Sequence, residues 1–281
     1  YRVILAEASA ELGGRVSRES RLPGLAEWGR VRDYRVHLLE RLENVSIYRE
    51  NPLSGEDIFE FSAKDQFDYS HVLLATGATW RRNGMGRMHR EDIPGLDKLS
   101  VFSPDDIMDG ISVQGRVVVF DDDHFYMGGV IAEKLRREGH EVSLVTPAPD
   151  VSTWTHKTLE QKKIQKQLIE LGVELVTQTD LAAIHSGMIE LSCVFTDNLT
   201  QSACESLILV TERIPNVDLF HGLDAEPERL SGVGIKTLRC IGDCYAPGTI
   251  AAAVHSGHLA ARELQSAPQE EVPFLRERIQ L

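Results

Sequence analysis

The sequence predicts an α/β chain of two doubly wound, parallel-sheet domains, the second inserted into the first. Three observations predict it. Gly115–Thr146 reads as strand, turn, helix and strand again. Leu238–Leu264 reads as a short apolar run ending in Gly242-Asp243, a Pro-Gly turn, and a long helix rich in small residues. Tyr69–Ala78 reads as a buried strand entering a tight A-T-G-A turn. A parallel strand that runs through a glycine turn into a helix is the repeating unit of Rossmann-like domains of the FAD/NAD(P)-binding type. There the glycine backbone and the helix N-terminus face a phosphate.

At 281 residues the chain has length for two modest domains. Hydrophobic content of 42 % and charged content of 26 % are those of a globular protein. A net charge of −13 argues against nucleic acid and anionic membranes as partners. No apolar run reaches the length of a membrane span and no signal peptide is read, so a cytoplasmic location is expected. The four cysteines Cys193, Cys204, Cys240 and Cys244 form no C-x-x-C pair. They read as small buried hydrophobes of a reduced compartment, with neither the number nor the spacing for zinc or iron–sulfur ligation.

The first strand, Tyr1–Glu7, ends in an acid. In a Rossmann unit an acid at the end of the second strand holds the ribose hydroxyls of an adenosine, and Gly13-Gly14-Arg15 follow at close range. The first strand and glycine loop of domain one are therefore expected to be absent from this sequence. The plain alternative for Glu7 is a solvated strand-end acid. Ala75-Thr76-Gly77 form the turn that lets the chain pass beneath a nucleotide. Gly242 admits a close backbone approach, and Asp243 offers a carboxylate or its N–H.

The middle section keeps the strand–turn–helix frame but loses its glycines. The G-x-G-x-x-G positions fall on Asp121, Asp123 and Tyr126. Carboxylates there repel a pyrophosphate, so this domain should not bind NAD(P)H. A cation at Asp121-Asp122-Asp123 is disfavoured, because consecutive side chains diverge at a strand end. Asp150–Gly172 reads as a loop and an amphipathic helix with Leu159, Ile164, Leu168, Ile169 and Leu171 inward. Val173–Val176 and Leu207–Thr211 read as further strands, and Glu212–Asn216 as the turn that returns the chain to the first domain. The expected boundaries are 1–110 plus 233–265 for an adenine-nucleotide (FAD/ADP) domain, 111–232 for the degenerate NAD-binding-like domain, and 266–281 for a tail.

Four stretches carry a resemblance: E-x4-LGGR at Glu7–Arg15, LLATGATWRRNG at Leu73–Gly84, VVVFDDDHFYMGGVIAEKLRREGHEVSLVTP at Val117–Pro147, and IGDCYAPGTIAAAVHSGHLAARE at Ile241–Glu263. Together they resemble the C-terminal nucleotide-binding half of the trimethylamine dehydrogenase, histamine dehydrogenase and dimethylglycine-betaine demethylase family. DDDHFYMGG is the most specific part. Val272-Pro273-Phe274 is similar to the dimethylglycine/betaine branch on weaker grounds.

The resemblance implies an oxidoreductase acting on CH–NH or N-methyl groups, of which this chain is the nucleotide-binding, electron-transfer-associated portion. FAD or ADP would bind here. FMN, a four-iron four-sulfur cluster and the substrate site would lie in an N-terminal TIM barrel, and electrons would pass to an electron-transferring flavoprotein. Carried over, Glu7 takes the ribose hydroxyls and Gly13, Gly14 and Arg15 sit beside the diphosphate. Ala75, Thr76 and Gly77 line the nucleotide, and Gly242 and Asp243 close it. No residue of this chain is expected to be catalytic or to bind metal. His255 and His258 share a helix face without a third ligand, Trp80 is read as packing, and Met127 as core. Homo-oligomerisation is left open. Two other readings are a self-contained NAD(P)H-dependent flavin oxidoreductase, which needs the missing glycine loops, and a non-catalytic docking module.

Overall fold

The computed structural model describes residues 1–63 and 70–264. The expected tail and Val272-Pro273-Phe274 lie outside the described residues. The chain divides into two compact units: Tyr1–Asn51 with Thr79–Ile214, and Pro52–Ala78 with the chain from Pro215 onward.

The first unit is built on a five-stranded parallel sheet. In spatial order its strands are Ser100–Phe102, Ser206–Val210, Arg116–Asp121, Glu141–Val145 and Glu174–Val176. A parallel strand covered on both faces must be apolar throughout, and Val117, Val118, Val119 and Phe120 are all fully buried. Successive residues point to opposite faces. Val117 and Val119 accordingly join Ile131, Leu135, Leu144 and Leu168 in one core, against the helices Met127–Arg137 and Gln161–Glu170. Val118 and Phe120 join Leu181, Ile184, Ile189 and Leu191 in a second core. Those last residues come from a three-stranded antiparallel sheet, Thr179–His185, Met188–Cys193 and Leu199–Ala203. The same unit holds a two-stranded parallel pair, Val3–Ala6 with Val45–Tyr48.

The second unit has its own small core of Ile58, Phe59, Leu74, Leu223, Leu230 and Cys244. Its parallel pair is His71–Leu74 with Thr237–Cys240, in register from His71↔Thr237 to Leu74↔Cys240. The helix Ile250–Glu263 starts at Thr249, whose hydroxyl accepts the Ala252 N–H at 3.3 Å.

This architecture corrects the expectation of two Rossmann-like domains. It is a mixed α/β fold: one parallel five-stranded sheet, one antiparallel sheet and separate strand pairs. A doubly wound first domain needs a strand hydrogen-bonded to both of its parallel pairs. Among the described residues no strand bridges Val3–Ala6/Val45–Tyr48 and His71–Leu74/Thr237–Cys240. The inward assignment of Leu159 and Ile169 is also corrected. Leu159 precedes the helix in a left-handed conformation (φ 64°) and is 91 % exposed. Ile169 is exposed one residue beyond the buried Leu168, roughly 100° around the helix.

Candidate functional site

In the second unit the A-T-G turn is tied to Asn216. The Thr76 hydroxyl donates to Asn216 O at 2.6 Å, Asn216 Nδ2 donates to Thr76 O at 3.0 Å, and Asn216 N–H donates to Gly77 O at 3.0 Å. The Thr76 hydroxyl also lies 3.0 Å from Cys244 Sγ. Gly242 stands at φ 62°, and its N–H donates to Ser256 Oγ on the final helix at 3.0 Å. Asp243 Oδ1 accepts the Gly248 N–H at 3.0 Å, so this carboxylate holds its own turn. The structure thus brings Thr76, Gly77 and the Gly242–Cys244 turn together through Asn216 and Cys244. Asn216 and Ser256 were missed among the site residues; the Pro215-Asn216 pair that marks the chain's return was the signal for the first.

In the first unit Glu7 closes its strand. Its Oε1 accepts the Ser9 N–H at 2.9 Å and the Ser9 hydroxyl at 2.8 Å. Asn51 N–H donates to Glu7 O at 2.9 Å and Glu50 N–H donates to Ser9 O at 3.1 Å, which lay this loop along the end of the neighbouring strand. Gly13-Gly14 lead into the short helix Arg15–Glu19. Arg15 Nε lies 3.4 Å from the fully buried Glu19, whose other oxygen accepts the Tyr126 hydroxyl at 2.7 Å. The Arg15 guanidinium is therefore engaged with a buried acid.

An adenine nucleotide needs bare backbone near its phosphates and a carboxylate for its ribose. Gly14 (φ 50°) and Gly77 (φ 75°) have no atom within 4 Å of the place a Cβ would take, so left-handed backbone faces open space at both. Gly13 differs, since a Cβ there would stand 2.6 Å from Ser17 Oγ and 2.8 Å from Arg32. In the first unit Gly14 leaves open backbone, while Glu7 is engaged with Ser9, Gly13 is packed and Arg15 pairs with Glu19; in the second unit Gly77 leaves open backbone and Asp243 accepts the Gly248 N–H.

The acidic stretch at the carboxyl end of the five-stranded sheet is internal. Asp121 and Asp122 are fully buried, and Asp123 and His124 nearly so. Asp122 Oδ2 accepts the backbone N–H groups of Met88 at 2.9 Å and His89 at 3.0 Å, and Asp122 Oδ1 lies 2.8 Å from His124 Nε2. Asp121 Oδ1 accepts the His124 N–H at 3.0 Å, and burial pushes the Asp121 carboxyl up to about 7. Asp123 is also raised by burial, against the pull of Arg87, whose Nε donates to Asp123 O at 2.8 Å. The place where a dinucleotide would lie in a parallel sheet is thus filled by these carboxylates and by main chain from Arg87–His89. No described cluster of three or more His, Cys, Asp or Glu side chains is placed to hold a metal ion. Trp80 and Met127 are buried as expected.

Residues 102–205 match a family model described as the OYE-like second alpha/beta domain. The chain is 31 % identical over 304 aligned positions to dimethylamine dehydrogenase of Hyphomicrobium sp. (strain x), covering 99 % of this chain and 40 % of that one. It superposes with a TM-score of 0.94 and 41 % identity on histamine dehydrogenase from Rhizobium sp. 4-9, over 100 % of this chain and 43 % of that one. A 6-hydroxypseudooxynicotine amine oxidase from Pseudomonas geniculata N1 follows at TM-score 0.86 and 41 % identity, over 92 % of this chain and 38 % of that one. The chain is homologous to these amine oxidoreductases. It spans about two fifths of their length. The matched family model describes an α/β domain of OYE-like proteins and not a nucleotide-binding half, which corrects the expectation to that extent and joins the strand topology in overturning the two-domain Rossmann reading. No helix among the described residues is long and apolar enough to cross a membrane.

Proposed function

We propose that this chain is part of a flavin-dependent amine dehydrogenase or N-demethylase and holds an adenine nucleotide, ADP or FAD. The observation that carries the reading is the likeness to histamine dehydrogenase along the whole chain, at 41 % identity. In such an enzyme the flavin supplies hydride acceptance from the amine carbon. This chain's own residues bind and orient. In the first unit Glu7 would accept ribose hydroxyls and the open Gly14 backbone would admit a phosphate; in the second, Asn216 fixes the turn that carries the open Gly77 backbone. FMN, a four-iron four-sulfur cluster and the substrate site belong to a barrel portion of the same protein, and an electron-transferring flavoprotein takes the electrons in the cytoplasm.

Reduction by NAD(P)H is disfavoured on this reading, because Asp121, Asp122 and the Arg87–His89 main chain occupy the strand-end cleft. The test is to purify the protein, record its visible spectrum, denature it and identify the released nucleotide by chromatography and mass. Released ADP or FAD supports the proposal. A protein that carries no adenine nucleotide and refuses both on reconstitution overturns it.

A further inference from the structure

Tyr126 stands at the third glycine position of the degenerate loop, where a Rossmann helix needs bare backbone against its strand. Its hydroxyl instead reaches 107 residues back along the chain and donates to Glu19 Oε2 at 2.7 Å. Glu19 is fully buried, and its other oxygen lies 3.4 Å from Arg15 Nε, one turn earlier on the same short helix. The Trp28 ring meets the Tyr126 ring edge-on, with 4.6 Å between centroids at 85°, and so steadies the phenol. Burial and the Glu19 charge raise the Tyr126 phenol well above its ordinary value, so it remains a donor. Arg15 directly follows Gly14, whose Cβ position has no atom within 4 Å. With 17 % of its side-chain surface exposed, Arg15 is within reach of a ligand.

We propose that Tyr126 and Glu19 are positioning residues for Arg15, and hold it ready to fork onto the diphosphate of an adenine nucleotide. The inference rests on the nucleotide site proposed above and adds the groups that order it. Arg15 lies beside the open Gly14 backbone, so a phosphate admitted there meets a cation. A guanidinium whose Nε side is already fixed loses less rotamer freedom when it binds. The buried Glu19 carboxylate does the fixing, and it stays ionised and in place only while its own oxygens have donors. Without the Tyr126 hydroxyl, Glu19 takes up a proton or moves, and its hold on Arg15 weakens. The side chain that fills the lost glycine position of one loop thus orders the arginine that follows the glycines of the other.

The test compares ADP with adenosine, which has the same base and ribose and no phosphate. The protein is freed of nucleotide and titrated with each. Tyr126→Phe keeps the ring against Trp28 and removes only the hydroxyl. It should bind ADP about tenfold more weakly than wild type and adenosine equally well. Arg15→Ala should weaken ADP at least as much, again without touching adenosine. With Arg15 already gone, adding Tyr126→Phe should change ADP affinity no further, because the two act as one unit. Unchanged ADP affinity in Tyr126→Phe overturns the proposal. So does an equal loss of ADP and adenosine, which would mean that the hydroxyl only supports the fold. A Tyr126→Phe loss that persists in full beside Arg15→Ala overturns it as well. Failure of the nucleotide site itself looks different: the wild type then takes up no ADP, and the inference falls with it.

Discussion

The Thr76 hydroxyl hydrogen-bonds the Asn216 main-chain oxygen at 2.6 Å, across 140 residues of sequence. Asn216 returns two bonds to the same turn, so three hydrogen bonds fix the Ala75–Gly77 segment between the strands His71–Leu74 and Ala78–Trp80. Replacing Thr76 by Val keeps the shape and removes one of the three. The expected loss is about 1 kcal/mol of unfolding free energy. Thr76→Ser should restore most of it. Urea denaturation followed by circular dichroism measures both, and equal losses in the two variants would show that the methyl group matters and the hydroxyl does not.

Asp122 is a larger commitment. Its Oδ2 accepts two buried backbone N–H groups, from Met88 and His89. Asp122→Ala leaves both donors without a partner, and an orphaned buried donor costs about 1–3 kcal/mol. The expected destabilisation is about 3 kcal/mol, with Asp122→Asn milder because one acceptor oxygen survives. Amide hydrogen exchange gives a local readout: Met88 and His89 should lose protection in the alanine variant before the strand Val117–Phe120 does.

Asp121 gives the pH dependence. Burial raises its carboxyl from 3.8 to about 7 in the folded chain. The folded state therefore keeps a proton that the unfolded state has already released between about pH 4 and pH 7. Stability from this group is highest below pH 4 and falls as pH rises to 7, then levels off. The integrated effect is up to about 4 kcal/mol. Asp121→Asn removes this titration while keeping an oxygen for the His124 N–H. The variant should gain on the wild type steadily from pH 4 to pH 7 and hold a constant difference above that. A difference that does not change across this window would mean that Asp121 stays ionised in the folded protein.

The strands of the five-stranded sheet were legible because burial on both faces forces continuous apolar runs, as at Val117–Phe120 and Leu207–Val210. The final helix was legible from its small residues and the Pro-Gly turn before it; its Thr249 cap was seen only in the structure. What sequence could not show was how the strands join. Val3–Ala6 carries no mark of its pairing with Val45–Tyr48, and the alternation of Leu181, Ile184, Ile189 and Leu191 is too irregular to announce an antiparallel sheet with a bulge between Glu190 and Leu191. At the candidate site, the glycines at positions 14 and 77 were legible as backbone requirements. The engagement of Arg15 with Glu19 was not, because a buried acid four residues on looks the same in sequence as an exposed helical ion pair.

Gly13 and Gly14 separate packing from binding. Both have positive φ, 111° and 50°, so alanine strains the backbone at either, by roughly 1 kcal/mol. At Gly13 the new Cβ also meets Ser17 Oγ and the Arg32 stem at less than 3 Å. Gly13→Ala should therefore cost more, about 2–4 kcal/mol, as the helix Arg15–Glu19 shifts to relieve the overlap. At Gly14 the Cβ enters open space, and stability should fall by the strain alone. If that space holds a phosphate, Gly14→Ala blocks its approach, and the variant should lose nucleotide far beyond its small loss of stability. Isothermal titration of ADP into the two variants, read beside their denaturation midpoints, decides between the roles. Full ADP affinity in Gly14→Ala would place the phosphates elsewhere and leave Gly14 a residue of the turn alone.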